Sequence, residues 1–469
     1  MSEATQERKF KIYTRNDIDR IEQLQRLSAE EREDMKAVSA VLPFRVNNYV
    51  LEELIDWNNI PDDPIYQLTF PQRGMLDHND FNHMRALVRR GAPRDKVQAA
   101  AREIQLRLNP HPAGQSDLNV PKSADGEVYP GMQHKYRETV LFFPMAGQTC
   151  HAYCTYCFRW AQFVGLENMK FASKEASGLV DYLKQHPEVE SVLITGGDPL
   201  IMRTKMLRQY IEPLLAPELE HIKSIRIGTK APAYWPYRFT HDEGDGDDLL
   251  RLFEQVRASG KQLALMAHYS HPVELETEIS QLAVRRIVDS GAVVRCQAPL
   301  IRHVNDSARV WQRMWDLQVS LGAIPYYMFI ERDTGARGYF EVPLARALRI
   351  YQGAISKVSG LARTARGPSM SCMPGKVMID GAAYVGDERV FVLKMIQGRN
   401  PQWVNRVFFA KYDERATWLD QLVPTFGRNE FFFEEELQRM IDTGKARVWT
   451  DEEGRIGDMS SYRLGDSTN

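Results

Sequence analysis

Val140-Leu-Phe-Phe-Pro-Met-Ala-Gly-Gln-Thr149-Cys150-His-Ala-Tyr-Cys154-Thr-Tyr-Cys157-Phe-Arg-Trp160 joins an apolar, strand-like run to three cysteines within eight residues. Thiolates spaced C-x3-C-x2-C can ligate three irons of an iron–sulfur cube and leave the fourth iron open to another ligand. Structural zinc wants four ligands from paired clusters, and no second cluster follows. A disulfide framework fails because the three cysteines are odd in number and too close together. The other cysteines, Cys296 and Cys372, stand alone.

Outward from this stretch, short apolar runs alternate with amphipathic segments. Strands are expected at Val140–Met145, Ser191–Thr195, Ser224–Gly228, Leu263–Ala267, Ala292–Cys296 and Pro325–Ile330. Helices are expected at about 173–186, 203–214, 246–259, 273–289, 306–321 and 343–358. Runs of Val, Ile and Leu with little polar alternation suit parallel strands covered on both faces. Six βα units in succession imply an α/β fold, a partial (β/α)6 barrel of the TIM type, with a doubly wound sheet as the alternative. The cysteines then sit at the C-terminal end of the first strand, where such barrels carry their active sites.

The reading divides the chain into an N-terminal helical extension (1–130), the barrel (131–360) and a C-terminal α+β extension (361–469). In the first part, residues 15–40 read as a helix with a capping-box pattern at Ser28, 48–57 as a short helix and 79–107 as a third. The Pro-, Gly- and Asn-rich 108–130 reads as a loop. In the last part, Lys376–Asp380, Ala383–Val385 and Arg389–Lys394 read as a short β-meander. Residues 412–422 and 434–443 read as helices, Phe431–Phe433 as core or subunit contact, and the last dozen residues as frayed.

A hydrophobic content of 43% and a charged content of 26% are ordinary for a globular protein. A net charge of −2 gives no reason to expect nucleic acid or an anionic membrane as partner. There is no signal-peptide pattern and no apolar run approaching the roughly 18 residues of a spanning helix. Sparse cysteines, with three clustered, suggest a reducing compartment, so the cytoplasm is the expected location.

The motif resembles that of radical S-adenosylmethionine enzymes, and the wider sequence is similar to the lysine 2,3-aminomutase family. The resemblance rests on Pro130-Gly-Met-Gln-His-Lys-Tyr136, Val192-Leu-Ile-Thr-Gly196-Gly197-Asp198-Pro-Leu200, Ile225-Arg-Ile-Gly-Thr-Lys-Ala-Pro232, His268-Tyr-Ser-His271, Ile301-Arg-His-Val-Asn305-Asp306 and Tyr326-Tyr327, and covers about residues 50–395. It implies an isomerase with three cofactors: a [4Fe–4S] cluster on Cys150, Cys154 and Cys157, S-adenosylmethionine and pyridoxal 5′-phosphate. A 5′-deoxyadenosyl radical would start the migration of an amino group from C2 to C3 of a free amino acid. An electron donor such as flavodoxin or ferredoxin and a homo-oligomeric state are further expectations.

Residue by residue, the resemblance assigns the S-adenosylmethionine site to Gly196, Gly197, Asp198, His268 and Gln297. Two glycines let a ligand approach the backbone, and the Asp198 carboxylate would take its ammonium. Lys376, in Cys372-Met-Pro-Gly-Lys376, matches the lysine that forms the pyridoxal Schiff base, with Lys394 as fallback. Lys135 matches the first of two basic residues on the cofactor phosphate. The second position is Thr139, for which Arg137 would substitute. Arg159 matches the arginine on the substrate α-carboxylate.

Lysine enzymes of the family use two aspartates for the distant ammonium. Here Arg332 occupies the first position, and near the second lie only Ser369 and Ser371. A buried arginine wants an anionic partner, so glutamate or aspartate is the expected substrate, as in the glutamate-type members of the family. Asp333, one residue along, would restore a basic substrate if a bulge turned it inward. A radical enzyme acting on a protein lysine and an iron–sulfur electron carrier are the competing classes. A carrier needs no substrate-sized cavity.

Overall fold

The computed structural model describes residues 8–108, 112–115, 118–123, 126–165, 171–241 and 244–444. Two short strands, β1 (Ile12–Thr14) and β2 (Arg45–Asn47), pair antiparallel near the N-terminus. All other strands join one sheet: β3 (Met132–Tyr136), β4 (Thr139–Phe142), β5 (Ser191–Ile194), β6 (Ser224–Thr229), β7 (Gln262–His268), β8 (Val293–Leu300), β9 (Ile324–Ile330), β10 (Arg366–Ser371), β11 (Gly375–Val385), β12 (Glu388–Gly398) and β13 (Val407–Lys411). Their spatial order is their chain order. From β4 to β10 all neighbours are parallel, while β3 and β11–β13 extend the two sides antiparallel. This is the expected partial barrel.

The six expected helices follow β4 to β9 in turn, at Ser177–Gln185, Thr204–Ile211, Asp245–Ala258, Glu278–Asp289, Ala308–Ser320 and Leu344–Ile355. One face of the strands is apolar and fully buried, through Val192, Ile194, Ile225, Ile227, Leu263 and Leu265. The other face is mixed: Leu193, Arg226, Gly228, Met266 and Gln297 line a cavity. The strands therefore do alternate, because one face packs on helices and the other must hold a polar ligand.

Elsewhere the structure departs from expectation for local reasons. In 15–40 only Ala29–Val38 is α-helix, after two tight 3₁₀ turns. Asp17 accepts both Thr14 donors at 2.9 Å, and Ser28 and Glu31 form the capping box that starts the helix afresh. The segment 48–57 holds one wide turn, Val50–Leu54. The region 79–107 is two helices, His78–Arg89 and Arg94–Arg107, parted at Gly91-Ala92-Pro93. Residues 412–422 make no α-helix. Asp413 accepts the N–H groups of Arg415 and Ala416, and the Ala416 carbonyl is taken by the Leu344 N–H, leaving one 3₁₀ turn at Leu419–Gln421. The meander is a single long hairpin of β11 and β12 that carries the barrel's own sheet onward. Phe431–Phe433 pack on Phe408 and Trp403, and the last dozen residues lie outside the described ones. Among the described residues no helix is long and apolar enough to cross a membrane.

The N-terminal region covers the cysteine loop. The Tyr153 N–H donates to the Arg45 carbonyl at 2.8 Å, the Thr155 N–H to Leu68 at 2.9 Å, and the Asn47 amide to His151 at 3.2 Å.

Leu265, with no exposed surface in the central strand β7, anchors the sheet to its helices. Leu265→Ala is expected to cost about 3 kcal/mol. The urea midpoint should fall with an unchanged denaturant slope; an unmoved midpoint would contradict this packing.

Candidate active site

At the C-terminal end of β5, Gly196 and Gly197 receive the loop that bears the cysteines. A Cβ on Gly197 would stand 2.5–2.6 Å from the Thr149 backbone, and one on Gly196 would stand 2.4 Å from the Gln148 amide. The Asp198 N–H donates to the carbonyls of Gly147 (3.1 Å) and Thr149 (2.7 Å). The glycines thus admit the cysteine loop itself. The Asp198 carboxylate, 2% exposed, accepts from the N–H of Leu200 and Lys230 and from the Thr229 hydroxyl at 2.7–3.0 Å. It ties the end of β5 to the end of β6 and also lines the cavity, where the sequence reading expects it to meet a ligand ammonium.

Cys150, Cys154 and Cys157 line one cavity of about 320 Å³, within the range of small-molecule sites. Burial pushes all three thiols up, Cys157 to about 12; Asp198 and the neighbouring cysteines add to this at Cys150, and Cys154 adds to it at Cys157. Bare thiolates would be costly here, so the set suits a cationic group that shares the charge. Among the described residues no three His, Cys, Asp or Glu side chains are grouped as a single metal ion would require. The Tyr234 hydroxyl and Cys154 Sγ share a hydrogen bond of 3.3 Å.

The same cavity reaches His268 and Gln297 at the ends of β7 and along β8, then Lys135, Arg159, Arg332, Ser371 and Lys376. His268 shares a 3.3 Å hydrogen bond with the Tyr156 hydroxyl. Burial, with Lys230 nearby, lowers its pKa to about 3, so the ring is neutral. Lys376 sits at the start of β11, with Nζ 4.7 Å from the Tyr327 ring centre, 5.6 Å from Phe329 and 5.9 Å from Tyr136. Burial first, and then the charges of Arg226, Arg366 and Arg332, lower its pKa to about 7. A neutral amine among aromatic rings suits a planar carbonyl cofactor.

Two guanidinium groups flank Phe158: Arg159 Cζ is 5.1 Å and Arg332 Cζ 4.8 Å from its centre. Each has a buried Nη1 that finds no hydrogen-bond partner among the described residues. Burial lowers both pKa values, that of Arg159 to about 10. A register shift at Tyr326 brings both Tyr326 and Tyr327 close, ring to ring, at 4.3 Å. Downstream of it Arg332 lines the cavity.

Several expected residues are not brought in. Asp333 is absent from the cavity wall, and its Oδ1 is buried without a partner among the described residues. Ser369 is wholly buried against the Met328 carbonyl at 3.5 Å. Arg137 is exposed on the turn between β3 and β4, outside the cavity, so it does not substitute at the phosphate. Lys135 lines the cavity, but its Nζ already donates to the Cys372 carbonyl. Lys394 is paired with Asp380 at 2.9 Å. Sequence reasoning missed Arg226 and Glu331, both in the cavity wall. A charged residue within an apolar strand run was the available signal for Arg226.

No protein-family model matches the chain. A protein named "Putative L-lysine 2,3-aminomutase" from Aquifex aeolicus is 29% identical over 398 residues, 85% of this chain and 92% of its own. The L-lysine 2,3-aminomutase of Acetoanaerobium sticklandii is 28% identical over 75% of this chain and 73% of its own. By sequence the chain is similar to lysine 2,3-aminomutases over most of its length. Its relatives are named for an aminomutase reaction, and the chain is an aminomutase-like enzyme. Among solved structures, a radical SAM methyltransferase from Sphaerobacter thermophilus aligns over 61% of this chain and 92% of its own at 14% identity. Its TM-score of 0.37 is too low to carry an argument.

Two outcomes test the site. Gly197→Ala should unseat the cysteine loop and lower the iron bound after anaerobic reconstitution, as Cys154→Ala should; full iron content in Gly197→Ala would refute this seat for the loop. Lys376 should be acylated with a midpoint near pH 7, protonated and inert below it and reactive above. A midpoint at the ordinary lysine value, read by peptide mass spectrometry, would refute the neutral amine.

Proposed function

We propose that this protein is a pyridoxal-phosphate-dependent 2,3-aminomutase whose substrate is a free amino acid with an acidic side chain, glutamate or aspartate. The observation that carries the reading is the pair of cavity arginines, Arg159 and Arg332, each with a buried and unpartnered Nη1. A desolvated guanidinium left without an anion is costly, and two of them on one ring suit the two carboxylates of a dicarboxylic amino acid. Arg159 is assigned to the α-carboxylate and Arg332 to the side-chain carboxylate.

When bound, the cluster with S-adenosylmethionine supplies a primary carbon radical and pyridoxal phosphate supplies the carbonyl that carries the migrating amino group. The three cysteines would hold the cluster, and Gly196, Gly197, His268 and Gln297 border the space beside it. The chain's own part is position. Each arginine fork fixes one end of the substrate, so that its middle carbons are held in one orientation. Lys376 offers a free amine at neutral pH. The neutral His268 donates or accepts a hydrogen bond without adding charge. Tyr153, Tyr156, Phe158 and Phe163 wall the cavity and exclude water from reactive carbon centres.

A basic amino acid is the second reading. The relatives' names favour it, and the buried, unpartnered Asp333 Oδ1 is the carboxylate it would use.

The reconstituted enzyme, supplied anaerobically with a reductant, S-adenosylmethionine and pyridoxal phosphate, is offered glutamate, aspartate, lysine and arginine in turn. The β-amino acid product should form from an acidic substrate, and Arg332→Gln should lower kcat/KM for it roughly 10- to 100-fold. Turnover of lysine alone would overturn the acidic reading.

A further inference from the structure

A cation from outside the barrel stands against the cysteine loop. Arg45 begins β2, opposite Thr14 of β1. Its Nη1 donates to the Thr149 hydroxyl at 3.0 Å, and that hydroxyl shares a 3.0 Å hydrogen bond with the Tyr153 hydroxyl. The Arg45 carbonyl accepts the Tyr153 N–H at 2.8 Å, and its Cζ is 6.0 Å from the centre of the Tyr153 ring. Thr149 immediately precedes Cys150, and Tyr153 immediately precedes Cys154. The guanidinium is therefore fixed by the chain neighbours of two of the three thiols. Among the described residues its buried Nε finds no hydrogen-bond partner, and no carboxylate pairs with it.

Other charges at this end of the cavity are engaged elsewhere. Lys230 is paired with Glu274 at 2.6 Å. Asp198 accepts from Leu200, Thr229 and Lys230. Arg159 lies over Phe143 and Phe158, 4.4 and 5.1 Å from their ring centres, and is assigned to the substrate. Arg45 adds a positive charge that no anion of the protein cancels by contact.

Three thiolates make an oxidised iron–sulfur cube a net anion, and an electron that enters adds to that charge. Net charge, hydrogen bonds and surroundings set the potential of such a cluster. A fixed positive charge favours the more negative of the two states, and its effect is screened little on the buried side of the guanidinium. The step itself is the transfer of one electron from an external low-potential donor, and no bond forms or breaks. A cluster that is easier to reduce asks less of that donor.

We propose that Arg45, seated by Thr149 and Tyr153, raises the reduction potential of the cluster held by Cys150, Cys154 and Cys157. This inference rests on the reading given under Proposed function, in which these cysteines hold a [4Fe–4S] cluster.

The test is redox titration of the full-length protein and of Arg45→Gln and Arg45→Lys, each reconstituted anaerobically with iron and sulfide. Dithionite and redox mediators set the potential, and electron paramagnetic resonance reads the reduced cluster. Iron content should match in all three. Arg45→Gln should disfavour reduction roughly tenfold, a midpoint lower by about 59 mV for one electron. Arg45→Lys, which keeps the charge, should stay close to the wild type. A wild-type midpoint in Arg45→Gln would overturn the proposal, and so would an Arg45→Lys midpoint that falls as far as that of Arg45→Gln. Loss of iron from Arg45→Gln would overturn it in favour of a structural hold on the loop. A wild type that takes up no reducible cluster would overturn the cluster reading itself, a different result from a wild type that is reduced and a variant that does not shift.

Discussion

The seat of the cysteine loop on the end of β5 is the contact on which the site depends. With the Gly197 Cβ position 2.5 Å from a backbone oxygen, no other residue type allows the loop to lie where it does. The backbone of Asp198 grips that loop, and its carboxylate joins β5 to β6 through three donor groups. A buried carboxylate held by that many donors is fixed in place. The loop, two strand ends and the start of a turn therefore behave as one piece, and the thiols inherit a fixed position from it. The N-terminal region presses on the same loop from the other side through backbone hydrogen bonds.

From that piece the cavity runs inward, and its chemistry changes along the way. Near the cysteines it is lined by tyrosines, glycines and a neutral histidine. Deeper in, arginines and a lysine face aromatic rings. Aromatic faces stabilise cations without neutralising them, so the guanidinium groups keep their charge and their free donors for a ligand. The helix-facing side of the same strands carries only apolar residues. One sheet thus separates a conventional core from a polar working interior, residue by residue along each strand.

How much of this the sequence disclosed follows from how local each signal was. Strand runs such as Ser224–Thr229 and the helices between them were legible because burial against a helix imposes an apolar face. The triad was legible because its spacing is itself the chemistry. The hold of Asp198 on β6 was not, because it depends on a strand end more than 30 residues on. Arg137 was favoured for its place near the motif, but it lies exposed on the turn between β3 and β4, outside the cavity. The helix expected over 412–422 was lost to the side chain of Asp413 and to the pairing of Ala416 with Leu344, which no local pattern announces. Arg332 rather than Asp333 lines the cavity, and that choice is made in the loop after β9, beyond the reach of strand alternation.

The interior arginines also have a consequence for how the protein is assembled. Like charges held together in a medium of low dielectric repel one another, and here Arg226, Arg366 and Arg332 all act on the same buried amine. An anion that binds in the cavity would offset part of this repulsion and act as a counter-ion of the fold, so ligand binding and conformational stability are linked by mass action.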